Sequence, residues 1–474
     1  MIPRAEPTTF AEMLRWHGAE ALSRANHQGR PVVVSLTSAL SDPPDLVEFY
    51  VRGGQSSAFR AYWEQQAEGF ALVGIGIARV IRCDGPRRFR EAAATIREDM
   101  ATALIDGSIG AAGGPVYLGG FAFASDQPPT PAWTPYSAGL LVLPRLLLAV
   151  RDGAASLTLS TLVEPNADLD AVTETALGDL VMAHGDGPAV DDAFDRGWHS
   201  GAVEEFPEPQ AWKASVAASA ADVRADRFEK VVLARSLRIR AAESFDPARI
   251  LRRLRSANSS ATIFAVATPD RCFLGATPER LVRLTGREVA VTCLAGSIAR
   301  GATETEDEQL AHALLASAKD RTEHEVVVRS TLEALAEVCT KVIRVPGTPS
   351  VARSRSVQHL ATPLRGRLAN GGCVLDLVDR LHPTPAVGGF PRDVALAAIR
   401  EREGFDRGWY AGPIGWVDRN GEGEFAVAIR SALLAGRDAT VYAGAGIVAD
   451  SDPEAEYAET CLKMEPMLAA LGMR

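Results

Sequence analysis

The chain has 474 residues, of which 47% are hydrophobic and 23% charged, and its formal net charge is −10 at pH 7. This balance is typical of a folded protein, and the length allows one large core or two to three ordinary domains. The acidic charge argues against nucleic acid or an anionic membrane as the main partner, and no apolar run approaches the roughly 20 residues of a membrane span.

The N-terminal stretch and the cysteines point to a reducing compartment. MIPRAEPTTFAEMLRWHG lacks the apolar segment of a secretory signal. The six cysteines are scattered without a C-x-x-C pair, which predicts free thiols, and the eight histidines show no zinc-ligand spacing. We therefore expect a cytoplasmic protein in which carboxylates remain the possible metal ligands.

The first half of the chain alternates helical and strand-like stretches. PVYLGGFAFA, from Pro115, and AGLLVLPRLLLAVRDGAASLTLSTLV, from Ala138, are typical of strands joined by Gly and Asp turns. Residues 184–210 have the Gly, Pro and acid content of a connector.

The second half groups strands beside long helices. Residues 211–227 predict an Ala-rich helix, and the stretches from Glu229, Thr262, Cys272 and Glu288 predict strands. Helical spacing continues over 307–339, and the segments between 408 and 449 predict an antiparallel meander. This grouping favours an α+β fold over an alternating βαβ fold.

Two segments carry paired acids at helical spacing. Asp320 and Glu323, in LLASAKDRTEHEVVV, share one helix face, which alone is most simply a solvated acidic stripe. In DSDPEAEYAETCLKM, Glu456 and Glu459 share a face with Lys463, which alone is equally an ordinary Glu–Lys pair. Two helices that each offer a carboxylate pair could instead hold a hard divalent cation such as Mg²⁺.

The segment before the last helix, AGAGIVAD, matches a dinucleotide fingerprint only weakly. The fingerprint requires a further strand and an acid about 20 residues on, and the remaining chain predicts one helix and a tail. A backbone turn that offers N–H groups to an anion fits this segment better.

Eight stretches between about 225 and 470 resemble, in order, those of the chorismate-utilising enzymes. They are EKVVLARS, FLGATPERLVRL, CLAGSIARG, LLASAKDRTEHEVVV, QHLATPLRG, LHPTPAVGGFPRDVA, FDRGWYAGPIGWVDRNGEGEFAVAIRSALL and YAGAGIVADSDPEAEYAETCLKM. The first half matches more loosely, through YLGGFAF and LPRLLL. The resemblance implies an α+β fold of large antiparallel β-sheets packed as a layered core with helices outside. It also implies that residues 1–205 form the N-terminal part of this shared fold and residues 206–474 the chorismate-binding catalytic region.

The resemblance gives the paired acids a role. It implies that Glu323 and Glu459 bind Mg²⁺, which bridges them to the ring carboxylate of chorismate. Asp320 and Glu456 match positions near the ion and are expected to act through water. This arrangement would also allow an acidic protein to bind a dianion.

The resemblance also implies an acid and a base. In the water-using members, water attacks C2 of the ring and the C4 hydroxyl leaves while the double bonds shift. Water is a poor nucleophile and hydroxide a poor leaving group, so both groups are needed. Lys230 is the expected base and must be neutral, whereas Glu279 is the expected acid and must be protonated through a raised pKa.

Substrate contacts follow from the same resemblance. Arg430 is expected to clamp a carboxylate at the enolpyruvyl end, with Tyr410 hydrogen-bonded there and Lys463 close to the metal-bound carboxylate. For Tyr410 and His359, an ordinary buried hydrogen-bonding role is the alternative. The other expected contacts are the backbone N–H groups of Gly444 and Gly446 and a ring pocket formed by Gly296, Ser297 and His359.

Within the family, the residues favour an isochorismate synthase. Ammonia-using members carry glutamine at the Lys230 position, aminodeoxychorismate synthases often carry a nucleophilic lysine at the Ala295 position, and Ser297-Ile298 replaces a Thr-Arg pair. A salicylate synthase, which goes on to eliminate pyruvate, and a non-catalytic chorismate-binding homologue stay open as alternatives. We expect a monomer that requires no glutaminase subunit, supplying either menaquinone or siderophore synthesis.

Overall fold

The computed structural model describes residues 7–53, 58–107, 113–125, 130–184, 200–347, 349–353 and 357–473. Within these ranges the chain forms eleven α-helices, 23 β-strands and two 3₁₀ turns, Gln66–Glu68 and Thr134–Tyr136. The helices are α1 Pro7–Gln28, α2 Leu46–Arg52, α3 Arg88–Thr102, α4 Leu169–His184, α5 Pro209–Arg224, α6 Pro247–Ala257, α7 Glu304–Ala316, α8 Ala318–Ala336, α9 Val374–Leu381, α10 Arg392–Glu403 and α11 Pro453–Ala470.

The strands are β1 Val32–Leu40, β2 Arg60–Gln65, β3 Phe70–Ile75, β4 Arg79–Cys83, β5 Leu104–Gly107, β6 Val116–Phe121, β7 Gly139–Leu143, β8 Leu146–Arg151, β9 Ala154–Val163, β10 Ser200–Phe206, β11 Lys230–Ala241, β12 Thr262–Thr268, β13 Arg271–Thr277, β14 Arg280–Thr285, β15 Glu288–Ala299, β16 Cys339–Arg344, β17 Ser350–Arg353, β18 Val357–Leu368, β19 Gly389–Phe390, β20 Pro413–Asp418, β21 Gly423–Val427, β22 Ser431–Ala435 and β23 Asp438–Ile447. Many of the strands follow one another in runs, such as β12 to β15 and β20 to β23, without a helix between them.

Two large sheets contain all of these strands. The first has 13 strands in the order β10-β11-β23-β22-β13-β12-β2-β3-β8-β9-β1-β5, with β19 paired to β11. The second has ten in the order β16-β18-β15-β14-β21-β20-β6-β7-β4, with β17 paired to β18. The β1–β5 pair is parallel, and the other pairings in the described ranges are antiparallel. The predicted α+β class with large antiparallel sheets is therefore the observed architecture.

The first sheet is buried on both faces because its strands alternate apolar side chains toward two cores. In β12, Phe264 and Val266 point into a core shared with the second sheet, whereas Ile263 and Ala265 point into a core covered by helices such as α1, α6 and α11. A strand that is buried on both sides reads as a nearly continuous apolar run. The result is the layered core that the resemblance implied.

Most predicted elements are present, and three differ. The long helix expected over 307–339 is two helices, because the Ser317 hydroxyl accepts a hydrogen bond from the Asp320 N–H and begins α8 as α7 ends. The connector expected over 184–210 contains β10, and residues 185–199 of it lie outside the described residues. The late meander is divided, since β20 and β21 join the second sheet while β22 and β23 join the first.

Two observations concern the described helices and the cysteines, and the domain division is a separate matter. None of the described helices combines the length and apolar composition needed to span a bilayer. The six cysteines are free thiols, as predicted. The division into residues 1–205 and 206–474 stays a prediction, and every predicted site residue lies in the second range.

Candidate active site

A polar cavity of about 130 Å³ lies where the two sheets meet, closed on one side by α8 and α11. All fourteen residues predicted for the site line this cavity: Lys230, Glu279, Gly296, Ser297, Asp320, Glu323, His359, Tyr410, Arg430, Gly444, Gly446, Glu456, Glu459 and Lys463. They come from stretches up to 233 residues apart in the chain, from position 230 to position 463. The fold thus brings the whole predicted set together.

Lys230 begins β11 and points into the cavity. It is 2% exposed, and its Nζ lies 2.7 Å from Oε1 of Glu323 on α8. Gly446 on the paired strand β23 leaves the room for this contact, because a Cβ there would lie 2.7 Å from Lys230 Cε and 3.1 Å from Nζ. The glycine therefore determines where the lysine tip can lie.

The last helix presents a second ion pair to the cavity. Asp452 caps α11 by accepting hydrogen bonds from the N–H groups of Glu454 and Ala455. The turns that follow carry Glu456, Glu459 and Lys463 into the lining of the cavity. Lys463 Nζ lies 2.5 Å from Glu459 Oε1 and donates to the Gly444 carbonyl oxygen at 2.9 Å. The i,i+4 ion pair between Glu459 and Lys463 that the sequence spacing allowed is therefore present, and it lies inside the candidate site.

The two glutamates of α11 have shifted pKa values in opposite directions. Burial, followed by the nearby charge of Glu459, raises the pKa of Glu456 despite a hydrogen bond from Ser451. Burial also acts to raise the pKa of Glu459, but the positive charge and hydrogen bond of Lys463, with the charge of Arg430, hold it below its ordinary value. The positive charges beside Glu459 thus favour its ionised form, whereas burial, and secondarily the charge of Glu459, disfavours ionisation of Glu456.

Glu279 has the pKa of a proton donor that works near neutrality. Pro278 and Glu279 connect β13 of the first sheet to β14 of the second, and the Glu279 backbone is held by hydrogen bonds to Thr277 and Val427. Burial raises the pKa of its carboxyl from 4.5 to about 7, against the opposing charges of Lys230, Arg430 and Lys463. A carboxyl of this kind can carry a proton at physiological pH and release it to a substrate.

Arg430 lies at the crossing where the chain leaves the second sheet for the first. Its φ is +52°, a left-handed conformation that costs a non-glycine residue about 1–3 kcal/mol. Ala411, directly after Tyr410, has a φ of +59°, and its N–H donates to Ala428 at 3.0 Å. The neighbouring backbone segments thus hold each other in strained conformations that bring Arg430 and Tyr410 to the cavity.

A β-bulge shapes the ring side of the cavity. The pairing of β15 with β18 shifts at Gly296, whose φ is +72°. Ser297 Oγ lies 3.0 Å from His359 Nδ1, which is also 3.3 Å from the Gly296 carbonyl oxygen. Burial, followed by Arg430 and Lys463, lowers the pKa of His359 to about 4, so the ring is neutral at pH 7.

Two charged lining residues were not predicted. Lys319 precedes Asp320 on α8, and Arg407 lies behind Tyr410 in a buried ion pair with Glu403. Both occur in stretches that the sequence analysis quoted, KDRTEH and FDRGWYAG. The signal that could have identified both residues is their charge and their position next to predicted site residues. A single sequence, however, does not indicate which charged neighbours point into the cavity.

The carboxylates that line the cavity fit a hard divalent cation whose coordination a bound substrate completes. Among the described residues, no group of three or more His, Cys, Asp or Glu side chains is close enough to hold a metal alone. Glu323 and Glu459, with Asp320 and Glu456 nearby, still line one cavity, and a cation would relieve the repulsion between the two glutamates of α11. Mg²⁺ usually takes one or two protein carboxylates and completes its shell with water and substrate oxygens.

The lining as a whole has the character of an enzyme site for a small anion. It holds a buried lysine, a carboxylic acid with a pKa near 7, an arginine in a strained conformation and neighbouring carboxylates. Perturbed titratable groups that converge in one cavity are typical of acid–base catalysis. Because Glu323 and Glu459 are paired with lysines, a cation that binds them must displace both ammonium groups.

Comparison with known proteins identifies the family. Residues 20–472 match the family described as chorismate binding enzyme, and the chain belongs to it. The salicylate biosynthesis isochorismate synthase of Pseudomonas aeruginosa is 38% identical over 460 residues, covering 97% of this chain and 94% of that protein. The isochorismate synthase MenF of Bacillus subtilis is 33% identical over 471 residues, covering 98% and 99%.

Solved structures confirm the fold. The menaquinone-specific isochorismate synthase MenF of Escherichia coli matches with a TM-score of 0.80 at 26% identity, covering 98% of this chain and 99% of that one. Anthranilate synthase component I of Streptococcus pneumoniae matches with a TM-score of 0.67 at 22% identity, covering 84% and 92%. The predicted chorismate-utilising enzyme fold is therefore confirmed.

Proposed function

We propose that the protein is an isochorismate synthase, an isomerase that converts chorismate to isochorismate. The observation that carries this proposal is the convergence of Lys230 and the protonatable Glu279 in one cavity of a chorismate binding enzyme. Relatives that align over nearly the whole chain bear the name isochorismate synthase. Chorismate is the small-molecule substrate that the family description supports.

In this proposal Lys230 and Glu279 divide the proton transfers. Lys230 acts in its neutral amine form, after the proton of its ion pair with Glu323 has passed to solvent, and accepts a proton from the water that attacks C2. Glu279 donates its proton to the C4 hydroxyl, which leaves as water while the double bonds shift. Atoms balance, since one water enters and one leaves.

The other predicted residues would bind the substrate. Arg430 and Tyr410 would hold the enolpyruvyl carboxylate, and Lys463 would lie beside the ring carboxylate, because cationic and hydroxyl donors suit carboxylate oxygens. The neutral ring of His359, fixed by Ser297, can exchange hydrogen bonds with ring hydroxyls without adding charge. The contacts proposed for the backbone are those of Gly296, Gly444 and Gly446, where the absence of side chains leaves space.

We also propose Mg²⁺ as the cofactor, held by Glu323 and Glu459 with Asp320 and Glu456 nearby. When bound, the ion would neutralise the ring carboxylate and draw electron density into it. The carboxylates would fix its location, and the lysines that they release would become available to the substrate. We further propose that the enzyme acts as a cytoplasmic monomer without a glutaminase subunit, since Lys230 replaces the glutamine of ammonia-using members.

Product analysis tests this function directly. The purified protein is incubated with chorismate and Mg²⁺, and the products are separated by chromatography. Isochorismate is the expected product. Salicylate with pyruvate would assign a salicylate synthase instead, and unchanged chorismate would identify a non-catalytic binding protein.

The Lys230→Gln variant tests the base. The variant should lose isochorismate formation while chorismate still binds with a similar dissociation constant, because the glutamine keeps the size of the side chain without its basicity. Lys341→Gln is the matched control, since that lysine is exposed on β16. Wild-type turnover in Lys230→Gln would remove the base assignment.

A further inference from the structure

A second, larger cavity of about 510 Å³ lies behind the active site. It is enclosed by the start of α3, the segment after β6, the end of α9 and the length of α10. Arg407 lines both cavities, and its partner Glu403 also lines the second. Ligand cavities commonly have volumes of about 300–1,000 Å³, so this space is large enough for a small organic molecule.

The lining of the second cavity combines aromatic and aliphatic surface with guanidinium groups. Its apolar part includes Phe89, Phe123, Phe405, Leu396 and Ile399. Arg88, Arg392 and Arg400 also line it. Buried Arg88 lies over the Phe89 ring, with 4.3 Å from the guanidinium carbon to the ring centroid, and donates to the Ala122 carbonyl oxygen. The lining thus offers rings and cations side by side.

The acids of this cavity are engaged by partners within the protein. Glu403 pairs with Arg407, and Asp379 pairs with Arg90 at 3.1 Å. Asp406 accepts hydrogen bonds from the backbone N–H and hydroxyl of Thr130. With four arginines against three acids, the lining carries an excess of positive charge.

The single histidine in the lining adds no charge. His382 is buried, its Nε2 lies 2.9 Å from the Phe123 carbonyl oxygen, and burial followed by Arg88 holds its pKa well below the ordinary value. Among the lining residues that the structure describes, hydroxyl side chains are limited to Ser125 and Thr130. A ligand rich in hydroxyls would find few partners here, whereas an apolar ring with one carboxylate would match both parts of the lining.

We propose that this cavity binds a small ring-bearing monocarboxylic acid, and that its occupancy alters the active site through the buried Arg407–Glu403 pair. The proposal concerns a separate cavity and does not depend on which product the enzyme forms. Carboxylates bind guanidinium groups through paired hydrogen bonds, and the three phenylalanine rings provide surface for the ligand ring.

The Arg407–Glu403 pair is the physical connection between the two cavities. Arg407 donates to the carbonyl oxygens of Val232 at 2.8 Å and Val387 at 2.9 Å, while Glu403 accepts from the Ala234 N–H at 2.6 Å. Val232 lies two residues after Lys230 on β11, and both Val232 and Val387 line the active-site cavity. The two charged side chains are 4% and 3% exposed. A shift of this pair would therefore move the backbone that carries the predicted base.

Benzoate is the probe for direct binding, with benzyl alcohol as the neutral control and inorganic phosphate as the control anion without a ring. Titration calorimetry is performed on the wild type, Leu396→Trp, which fills the second cavity, and Arg430→Ala, which removes the arginine of the active site. Benzoate should bind the wild type and Arg430→Ala alike, and its affinity should fall at least about 10-fold in Leu396→Trp. Arg392→Ala, at an exposed position, should weaken binding by roughly 10-fold.

The results separate the two cavities. Benzoate binding that is lost in Arg430→Ala but retained in Leu396→Trp would place the ligand in the active site and overturn the proposal. Failure of benzoate to bind the wild type at about 10 mM would also overturn it. Thermal unfolding of both variants establishes that they are folded before these comparisons are made.

Coupling is measured through the kinetics of chorismate turnover. Saturating benzoate should change the kcat or KM of the wild type at least twofold and leave those of Leu396→Trp unchanged. An equal effect on both proteins would show that benzoate acts by competing in the active site, and no effect on the wild type would overturn the coupling. The basal kcat of Leu396→Trp should match the wild type, because Leu396 does not line the active-site cavity.

Discussion

Replacement of Gly446 by alanine is the sharpest test of how the fold positions the predicted base. Gly446 lies in β23 opposite Val232, where an extended backbone accepts alanine without strain. The added Cβ would lie 2.7 Å from Lys230 Cε, 3.1 Å from its Nζ and 3.2 Å from Glu323 Oε1. Carbon atoms pack at about 3.5–4.0 Å, so the lysine tip must retreat by about 1 Å.

This displacement sets the size of the expected effect. A misplacement of about 1 Å in a reacting group can reduce a rate by about 100-fold, which corresponds to about 2.7 kcal/mol in the activation barrier. Stability should change less, because the end of a flexible side chain moves and the sheet does not. We therefore expect Gly446→Ala to lower kcat by about 100-fold while the protein remains folded.

The assay is isochorismate formation from chorismate with excess Mg²⁺, together with thermal unfolding. Gly444→Ala is the graded comparison, since its Cβ would approach the Tyr410 hydroxyl at 3.2 Å and should raise KM more than it lowers kcat. Gly178→Ala, with nothing within 4 Å of the new Cβ, should behave as wild type. A wild-type kcat in Gly446→Ala would refute the reasoning that this glycine positions the lysine.

Three further predictions concern the acid, the metal and the support of α11. Glu279 can donate a proton only when it is protonated, and burial raises its pKa to about 7. We therefore expect kcat/KM to fall as pH rises above about 7. A level profile of kcat/KM up to about pH 9 would exclude Glu279 as the acid. Glu459→Gln should require a higher Mg²⁺ concentration for half-maximal activity. The control is Glu325→Gln, since Glu325 lies on the same helix as Glu323 but pairs with Arg344 at the surface, and this variant should show the Mg²⁺ dependence of the wild type. Equal Mg²⁺ dependence in the two variants would remove Glu459 from the metal site. Arg235→Met should lower the free energy of unfolding, measured by denaturant titration, by about 1–3 kcal/mol. Buried Arg235 donates hydrogen bonds to Glu205 and Thr460, each at 2.7 Å, and so holds β10 and α11 to β11. Unchanged stability would contradict that role.

Most of the residues that line the candidate site could be named from the sequence, whereas several boundaries of the surrounding elements could not. Motifs fix residue identities, so Lys230, Glu279 and the acids of the two helices could be named, and the fold places all of them at one cavity. Their pKa values depend on burial and on groups distant in the chain. The pKa of Glu279 is raised to about 7 by burial in the folded protein, against the lowering effect of the charges at positions 230, 430 and 463, and its local sequence contains none of these causes.

The predicted boundaries of helices and strands were wrong where tertiary contacts outweighed the local sequence pattern. Ser317 is a poor signal inside an otherwise helical run, yet its hydroxyl caps α8 and divides the predicted helix. β10 has the composition of a linker, but it pairs with β11 from Phe206 to Ser200, and Glu205 within it receives the guanidinium of Arg235. The division of the meander at Arg430 depends on which sheet each strand joins, which is a long-range choice.

The pairing of β11 with β23 has a consequence for how the protein is made. Lys230, which begins β11, leaves the ribosome 208 residues before the neighbour strand β23, which begins at Asp438. Until β23 emerges, this edge of the sheet has no strand to cover it, and such edges invite aggregation. A polypeptide that terminates before β23 lacks Gly444, Gly446 and the acids of α11, and should therefore be inert and a target for degradation.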